Sequence, residues 1–367
     1  MTQLRVALIR GDGIGVDVAD AAMTIVDAAL AKVGKEPLYH EEIKAGAAFY
    51  SETGMDIEAD GEARAGEADA IFLGAIGLPS VRKPDGTEIS PHLRLRERYG
   101  LYAGLRPVKA YPNAPQRLAD PRAAGIDMVI LRESTEGLFY SAAVHGRSDI
   151  RGDDEVRDTL RITRKTTQKL HHFGFRYAEK RKARGRPGAL TCVDKANVFA
   201  SMAFFRKIFE EIAPQYPQVQ ASYNYVDAQA LDLIRRPWDF DVMVMENMFG
   251  DILSDLAGGL VGGMGMAACG EIGDETGLFQ PAHGSAPDIM GQDKANPLAA
   301  ILSGAMMLDY LADKTLDEGL ADAAKLIEDA VSHGFANNAL RPMEFGGDMG
   351  TKAVTNKVLD SLRWNSA

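Results

Sequence analysis

Short apolar runs bounded by glycine and polar turn residues recur along the chain, and most are followed by longer stretches with apolar positions at helical spacing. Leu4 to Ile9 reads as a strand, which Gly11-Asp12-Gly13-Ile14-Gly15 turns into a helix running to about Leu30. Ala70 to Leu73 ends in Gly74-Ala75-Ile76-Gly77 and a loop through Pro91, and Ile126 to Leu131 precedes Arg132-Glu133-Ser134-Thr135-Glu136-Gly137. A long helix is predicted from about Glu155 to Arg184, followed by strand Ala189 to Val193, the turn Asp194-Lys195-Ala196-Asn197 and a helix through Ile212. Val219 to Val226 continues the alternation, and helices are predicted near Pro297 to Ala312, Asp317 to Ser332 and Lys352 to Leu362. Strands alternating with helices predict an α/β protein with a large, mostly parallel sheet flanked by helices. No repeat or low-complexity linker marks a boundary, so the length predicts two interleaved lobes.

The stretch Asp241 to Asp255, DVMVMENMFGDILSD, carries the most chemistry. Residues up to Met245 predict a buried parallel strand, Glu246 to Gly250 a turn, and Asp251 onward a helix. Asp251 and Asp255 then stand at i and i+4, two carboxylates on one helical face near the carboxyl end of a strand, where open α/β sheets put their ligands. A cap for Asp251 and a solvated surface for Asp255 explain each alone.

Composition narrows the classes. Hydrophobic residues at 46% and charged residues at 25% are ordinary for a soluble globular protein, and a net charge of -11 argues against nucleic acid and anionic membranes as partners. The basic run from Lys180 to Arg186 ends a helical stretch, where the helix dipole and solvent account for it. No apolar run approaches the ~20 residues of a membrane span. Cys192 and Cys269 lack partners at metal-ligand spacing and are expected as free thiols in a reducing cytoplasm. Gly263-Met264-Gly265-Met266-Ala267-Ala268 fits the G-x-G-x-x-A dinucleotide pattern, but turn-like Cys269 to Asp274 follows where a helix should open, so it is not a Rossmann site.

Further residues fall at strand ends. Arg96, Arg106 and Arg132 offer three guanidinium forks suited to a substrate with more than one carboxylate. Lys195 and Asp227 each follow a strand and are candidate acid and base. Asp227, Asp251 and Asp255 offer hard oxygen ligands of the kind Mg²⁺ or Mn²⁺ takes. Ion pairs and caps explain them singly; their coincidence in one chain is left unexplained.

With GDGIG at Gly11, LRLRERYGLYAGLRP from Leu93, RESTEG at Arg132, DKAN at Asp194, YVDA at Tyr225, ENMFGDILSD at Glu246 and HGSAPDIMGQDKANP from His283, the chain resembles the β-decarboxylating dehydrogenases over nearly its whole length. That family includes isocitrate, 3-isopropylmalate, homoisocitrate, tartrate and D-malate dehydrogenases. The resemblance implies an isopropylmalate dehydrogenase-like fold divided into a cofactor lobe, 1–103 with 262–367, and a substrate, metal and dimerisation lobe, 104–261. It implies metal-dependent oxidation of a 2-hydroxy acid with loss of the carboxylate on the next carbon. Lys195 and Asp227 would help take the hydroxyl proton, and the three arginines would clamp the departing carboxylate. It also implies a homodimer whose sites take the lysine and one aspartate from the partner.

Finer roles follow from the same resemblance. His283, Gly284, Ser285, Ala286, Asp288 and Asn296 would bind the dinucleotide, and Asp288 matches the family's ribose-binding acid, which predicts NAD rather than NADP. Ser90 and His92 would line the pocket for the substituent on the substrate's third carbon, favouring a polar group over isopropyl. The family's proton-donating tyrosine falls on Phe139, with Tyr140 next to it; in an extended segment the two would face opposite sides, so Tyr140 serves only if a turn or bulge shifts the register. Two classes remain open at this point: an active oxidative decarboxylase, and a catalytically silent, regulatory member that binds the same ligands.

Overall fold

In the computed structural model, which describes residues 3–143 and 148–362, the alternation becomes twelve strands: β1 (Arg5–Gly11), β2 (Tyr39–Glu42), β3 (Ala70–Ala75), β4 (Ala103–Lys109), β5 (Asp127–Glu133), β6 (Asp149–Arg151), β7 (Glu155–Arg157), β8 (Ala189–Asp194), β9 (Gln220–Tyr225), β10 (Val242–Met245), β11 (Ala268–Ile272) and β12 (Gly277–Pro281). Among the described residues, ten of them form one sheet in the order β2-β1-β3-β12-β11-β4-β5-β10-β8-β9, and β6 and β7 form a separate exposed hairpin. Both flanks of the sheet are parallel, while β12/β11, β11/β4 and β4/β5 are antiparallel. The five strands on one side of the β11/β4 pairing come from both ends of the chain, and the five on the other from its middle.

Alternation along the strands divides the core between the two faces. Val6, Leu8, Val242 and Val244 face one side, under helices that include Gly15–Lys32, Arg164–Ala183 and Leu298–Thr315. Ala7 and Ile9 face the other side with Ile71 and Leu73, and Met243 and Met245 face it with Leu253 and Ala257 of the helix Asn247–Leu260. On that second face the two apolar clusters are separate, and the polar residues of β4, β5 and β11 lie between them.

Three expectations are corrected. The helix expected from Glu155 begins at Arg164, because Thr163 caps it by accepting the Thr166 N–H, and Glu155–Arg157 pairs as β7 instead. The helix expected from Asp251 begins at Asn247, with the Glu246 carboxylate accepting from Phe249 N–H at 2.7 Å. The segment after the glycine-rich 263–268 stretch is a strand, β11, not a turn; a short 3-10 turn, Met264–Met266, leads into it, so no helix opens on those glycines.

Candidate active site

A row of residues crosses the central strands on one face. Register pairs Arg132 of β5 with Gly104 of β4, and Gly104 with Glu271 of β11; Arg106 lies two residues along β4, hence on the same face. Gly104 keeps the row open, since a Cβ there would lie 2.6 Å from Ser134 Oγ and 2.9 Å from Glu271 Oε2. Arg96 reaches the row from the short helix Pro91–Arg98, whose Leu95 is buried in the apolar cluster beneath.

Glu271, fully buried, was not foreseen from the sequence. Its Oε1 accepts from Arg106 Nη2 at 2.9 Å and Cys269 Sγ at 3.5 Å, and Arg96 Nη2 forms an ion pair with it at 3.1 Å. Burial alone would raise its carboxyl, but the guanidiniums of Arg96, Arg106 and Arg132 outweigh that and hold it at about 2. Only its place in an otherwise apolar strand, Ala-Cys-Gly-Glu-Ile, could have marked it. His92, close to Arg96, is pushed down to about 3 by burial and by that guanidinium, so its ring is neutral. Four buried atoms here have no hydrogen-bond partner: Arg96 Nε, Arg106 Nε, Glu271 Oε2 and His92 Nδ1. Such groups are costly unless a ligand or water meets them. Ser90 is the residue preceding the Pro91–Arg98 helix, and Arg94 turns away to fork onto Asp56 and reach Glu62.

The other wall is the helix Asn247–Leu260. Gly250 lets it sit directly on β5, since a Cβ would lie 2.6 Å from Arg132 Cβ. Asn247 Oδ1 accepts from Arg132 Nε at 2.9 Å, its Nδ2 donates to Glu136 O at 3.0 Å, and Arg132 Nη1 pairs with Asp251. Asp251 is thus in the second turn, not a cap, with half its carboxylate surface still open. Asp255, one turn on, has its carboxyl raised by loss of hydration and then by the Asp251 charge. Two neighbouring hard carboxylates one turn apart fit a divalent cation.

Lys195 and Asp227 pair with each other at 2.5 Å, and the Lys195 ammonium holds the exposed Asp227 carboxyl below its usual range. They follow β8 and β9, while the Asp251 helix begins after β10. Among the described residues no group of three His, Cys, Asp or Glu is placed to hold a metal, so one chain does not bring Asp227 to Asp251 and Asp255.

The segment after Arg132 is helical at Phe139–Ala143, not extended. Phe139 lies under the Arg132 guanidinium, 5.0 Å from Cζ to ring centroid, and Tyr140 lies under Arg161 at 3.9 Å. In a helix neighbours diverge by about 100° rather than 180°, so the Tyr140 phenol is not forced to the far side.

The His283–Asp288 loop packs on the N-terminal glycine loop: Ile14 N donates to Ser285 O at 2.7 Å, and Ser285 Oγ donates to Gly77 O. Asp12 anchors this corner by accepting from Ala47, Ala48 and Gly77 N–H groups. Gly284 and Asp288 are exposed, Ala286 is held at φ 37°, and His283 Nε2 is buried without a partner. An exposed carboxylate and an orphaned imidazole nitrogen on one loop fit a nucleotide's hydroxyls and base. Asn296 is more structural, with its amide on Glu344 at 2.9 Å and its oxygen receiving Leu298 N–H.

A cavity of about 810 Å³ opens on the opposite face of the sheet, lined by Lys180, Arg181, Arg184, Arg186, Asp309 and Tyr177 among others. Those cations are already paired, Lys180 and Arg184 with Asp309, Arg181 with Asp241 and Asp127, and Arg186 with Asp127. The four orphaned atoms of Arg96, Arg106, Glu271 and His92 lie on the arginine face, which makes that face the candidate site. Of the basic run, Lys180, Arg181, Arg184 and Arg186 are held in ion pairs and Lys182 donates to Gln218 O at 2.7 Å; no helix among the described residues is long and apolar enough to cross a membrane.

The sequence model of the isocitrate/isopropylmalate dehydrogenase family matches residues 5–361. A 3-isopropylmalate dehydrogenase of Heyndrickxia coagulans is 37% identical over 100% of this chain and 98% of its own. A homoisocitrate dehydrogenase of Methanocaldococcus jannaschii is also 37% identical, over 98% of each. Among solved structures, an isocitrate dehydrogenase from Methylococcus capsulatus superposes with a TM-score of 0.82 at 32% identity, covering 98% of this chain and 100% of that one.

Proposed function

Because the chain belongs to the isocitrate/isopropylmalate dehydrogenase family and is a β-decarboxylating dehydrogenase, we propose that it oxidises a 3-substituted malate-type 2-hydroxy acid with NAD and Mg²⁺ or Mn²⁺, and releases CO₂. The observation that carries this reading is the convergence of Arg96, Arg106 and Arg132 on one face, opposite the Asp251–Asp255 pair.

Arg96, Arg106 and Arg132 orient the acid and hold the carboxylate that leaves. Asp251 and Asp255 would hold the metal together with Asp227 of a second chain, which would make the homodimer the working unit. Lys195, with Asp227 accepting from it, removes the hydroxyl proton. When bound, a divalent metal would supply Lewis-acid charge and NAD would supply a hydride acceptor. Tyr140 returns a proton to the carbon that lost CO₂. His283, Gly284, Ser285, Ala286 and Asp288 cradle the adenosine half, with Asn296 holding the loop beneath. Asp288 repels a 2′-phosphate and so selects NAD. Ser90 and His92 favour a polar substituent. The lobes divide at 103/104 and 261/262, and the two buried free thiols fit a reducing cytoplasm.

A turnover assay with Mn²⁺ and malate, tartrate, isocitrate, homoisocitrate and 3-isopropylmalate tests this. NADH and CO₂ should form from at least one acid, with kcat/KM for NAD⁺ at least about tenfold above NADP⁺. Absence of NADH from every acid overturns it in favour of a silent, ligand-binding member.

A further inference from the structure

The two relatives at 37% identity carry the names of enzymes for a dicarboxylic and a tricarboxylic acid, so overall similarity does not choose between those substrate classes. Glu271 does. Both Arg96 and Arg106 spend an Nη2 on its Oε1, at 3.1 and 2.9 Å, and it is shielded from solvent. A buried carboxylate between two guanidiniums cancels one of their charges permanently. Glu271 thus offsets one of the three positive charges of the row, and Arg132 is itself paired with Asp251. What remains unpaired nearby offers both donors and acceptors: N–H on Arg96 Nε and Arg106 Nε, the acceptor Glu271 Oε2, and His92 Nδ1.

We propose that Glu271 is a specificity-determining positioning residue, a built-in carboxylate that takes the place of a substrate's third carboxylate and restricts the site to 2-hydroxy dicarboxylates with a small, uncharged, hydrogen-bonding group on the third carbon. A third carboxylate brought to Arg96 and Arg106 meets a like charge held in place by the same two guanidiniums, and like charges at an interface cost several kcal/mol in general. An alkyl group avoids the repulsion but leaves the orphaned donors and acceptor dry. A hydroxyl, donor and acceptor at once, satisfies both conditions.

This rests on the functional reading above, so the test reads binding rather than turnover. Calorimetric titration of the full-length protein with Mn²⁺, without NAD⁺, compares tartrate and malate with isocitrate and homoisocitrate. The dicarboxylates should bind at least about tenfold more tightly than the tricarboxylates, and Glu271→Gln should narrow that ratio about tenfold or more by improving tricarboxylate binding. Equal or tighter tricarboxylate binding by the unmodified protein overturns the proposal, whether or not the variant folds. A folded Glu271→Gln protein that loses affinity for all four acids in the same proportion reduces Glu271 to a support for the arginines and overturns it too. Dicarboxylate preference without NADH formation from any acid defeats the functional reading and leaves the role of Glu271 standing.

Discussion

Asp251 meets two requirements that pull in different directions: one oxygen is committed to Arg132, and the carboxylate still has to bring negative charge to Asp255 one turn away. Its place in the second turn removes the capping explanation, because Glu246 already serves the first-turn N–H groups. Asp251→Asn should therefore leave the helix and the thermal midpoint within a few degrees of the parent while lowering Mn²⁺-dependent kcat more than about 100-fold. Unchanged turnover at saturating Mn²⁺ would return Asp251 to the surface. Phe139 and Tyr140 pose the second residue-scale question, since the apolar ring holds the position beside Arg132 and the phenol belongs to its neighbour. Tyr140→Phe should lower the rate of CO₂ release by about 10²–10⁴-fold, the usual loss for a missing general acid, with little change in KM. A variant that keeps the parent rate would hand the proton to water.

At the scale of elements, strands with continuous apolar runs were legible, β5 with Arg132 at its end among them, while β4 and β11, which carry Arg106 and Glu271, were not. β1, β3, β5, β8 and β10 are short and nearly all apolar, flanked by turn residues, so their pattern specifies them. β4 and β11 carry Arg106, Pro107, Gly270 and Glu271, residues that depress strand propensity and are held there by tertiary pairing. Function and poor propensity coincide in them: Arg106 was found as a guanidinium beside a turn or strand end, and Glu271 was missed. The helix Arg164–Ala183 shows a different hidden term. His171, fully buried, sets Nε2 at 3.1 Å from Phe205 O and presents its ring edge-on to Phe205 and Phe209, with Nδ1 unpartnered. Burial pushes it down to about 3 from 6.5. Above pH 6.5 both folded and unfolded states hold it neutral; below, the unfolded chain takes a proton that the fold refuses, so stability falls as pH drops from 6.5 toward 3. The slope from this one group is about 1.4 kcal/mol per pH unit. In urea unfolding, His171→Gln should be less stable than the parent at pH 7.5 yet lose about 2 kcal/mol less between pH 6.5 and pH 5. Equal losses in both proteins would mean that His171 is already protonated in the fold.

For the whole molecule, strand order decides which parts of the site one chain can assemble. The arginine row lies on β11, β4 and β5, where strands from both ends of the chain meet those from its middle. Lys195 follows β8, two strands beyond β5, roughly 10 Å across the sheet at ordinary strand spacing. Asp227 goes with it, paired and exposed, while Asp251 and Asp255 stay beside Arg132. Within one chain the Lys195–Asp227 pair thus stands apart from Asp251 and Asp255, and in the proposed homodimer each chain would complete its partner's half. Mixing inactive variants reads this directly. In a hybrid of Asp251→Asn and Lys195→Ala chains, one shared site carries both substitutions and the other carries neither. Random reassociation makes about half the dimers hybrid, each with one intact site of two, so an equimolar mixture should recover about one quarter of the parent activity. If each site were built within one chain, every site in every dimer would carry one substitution, and the mixture would stay as inactive as its components.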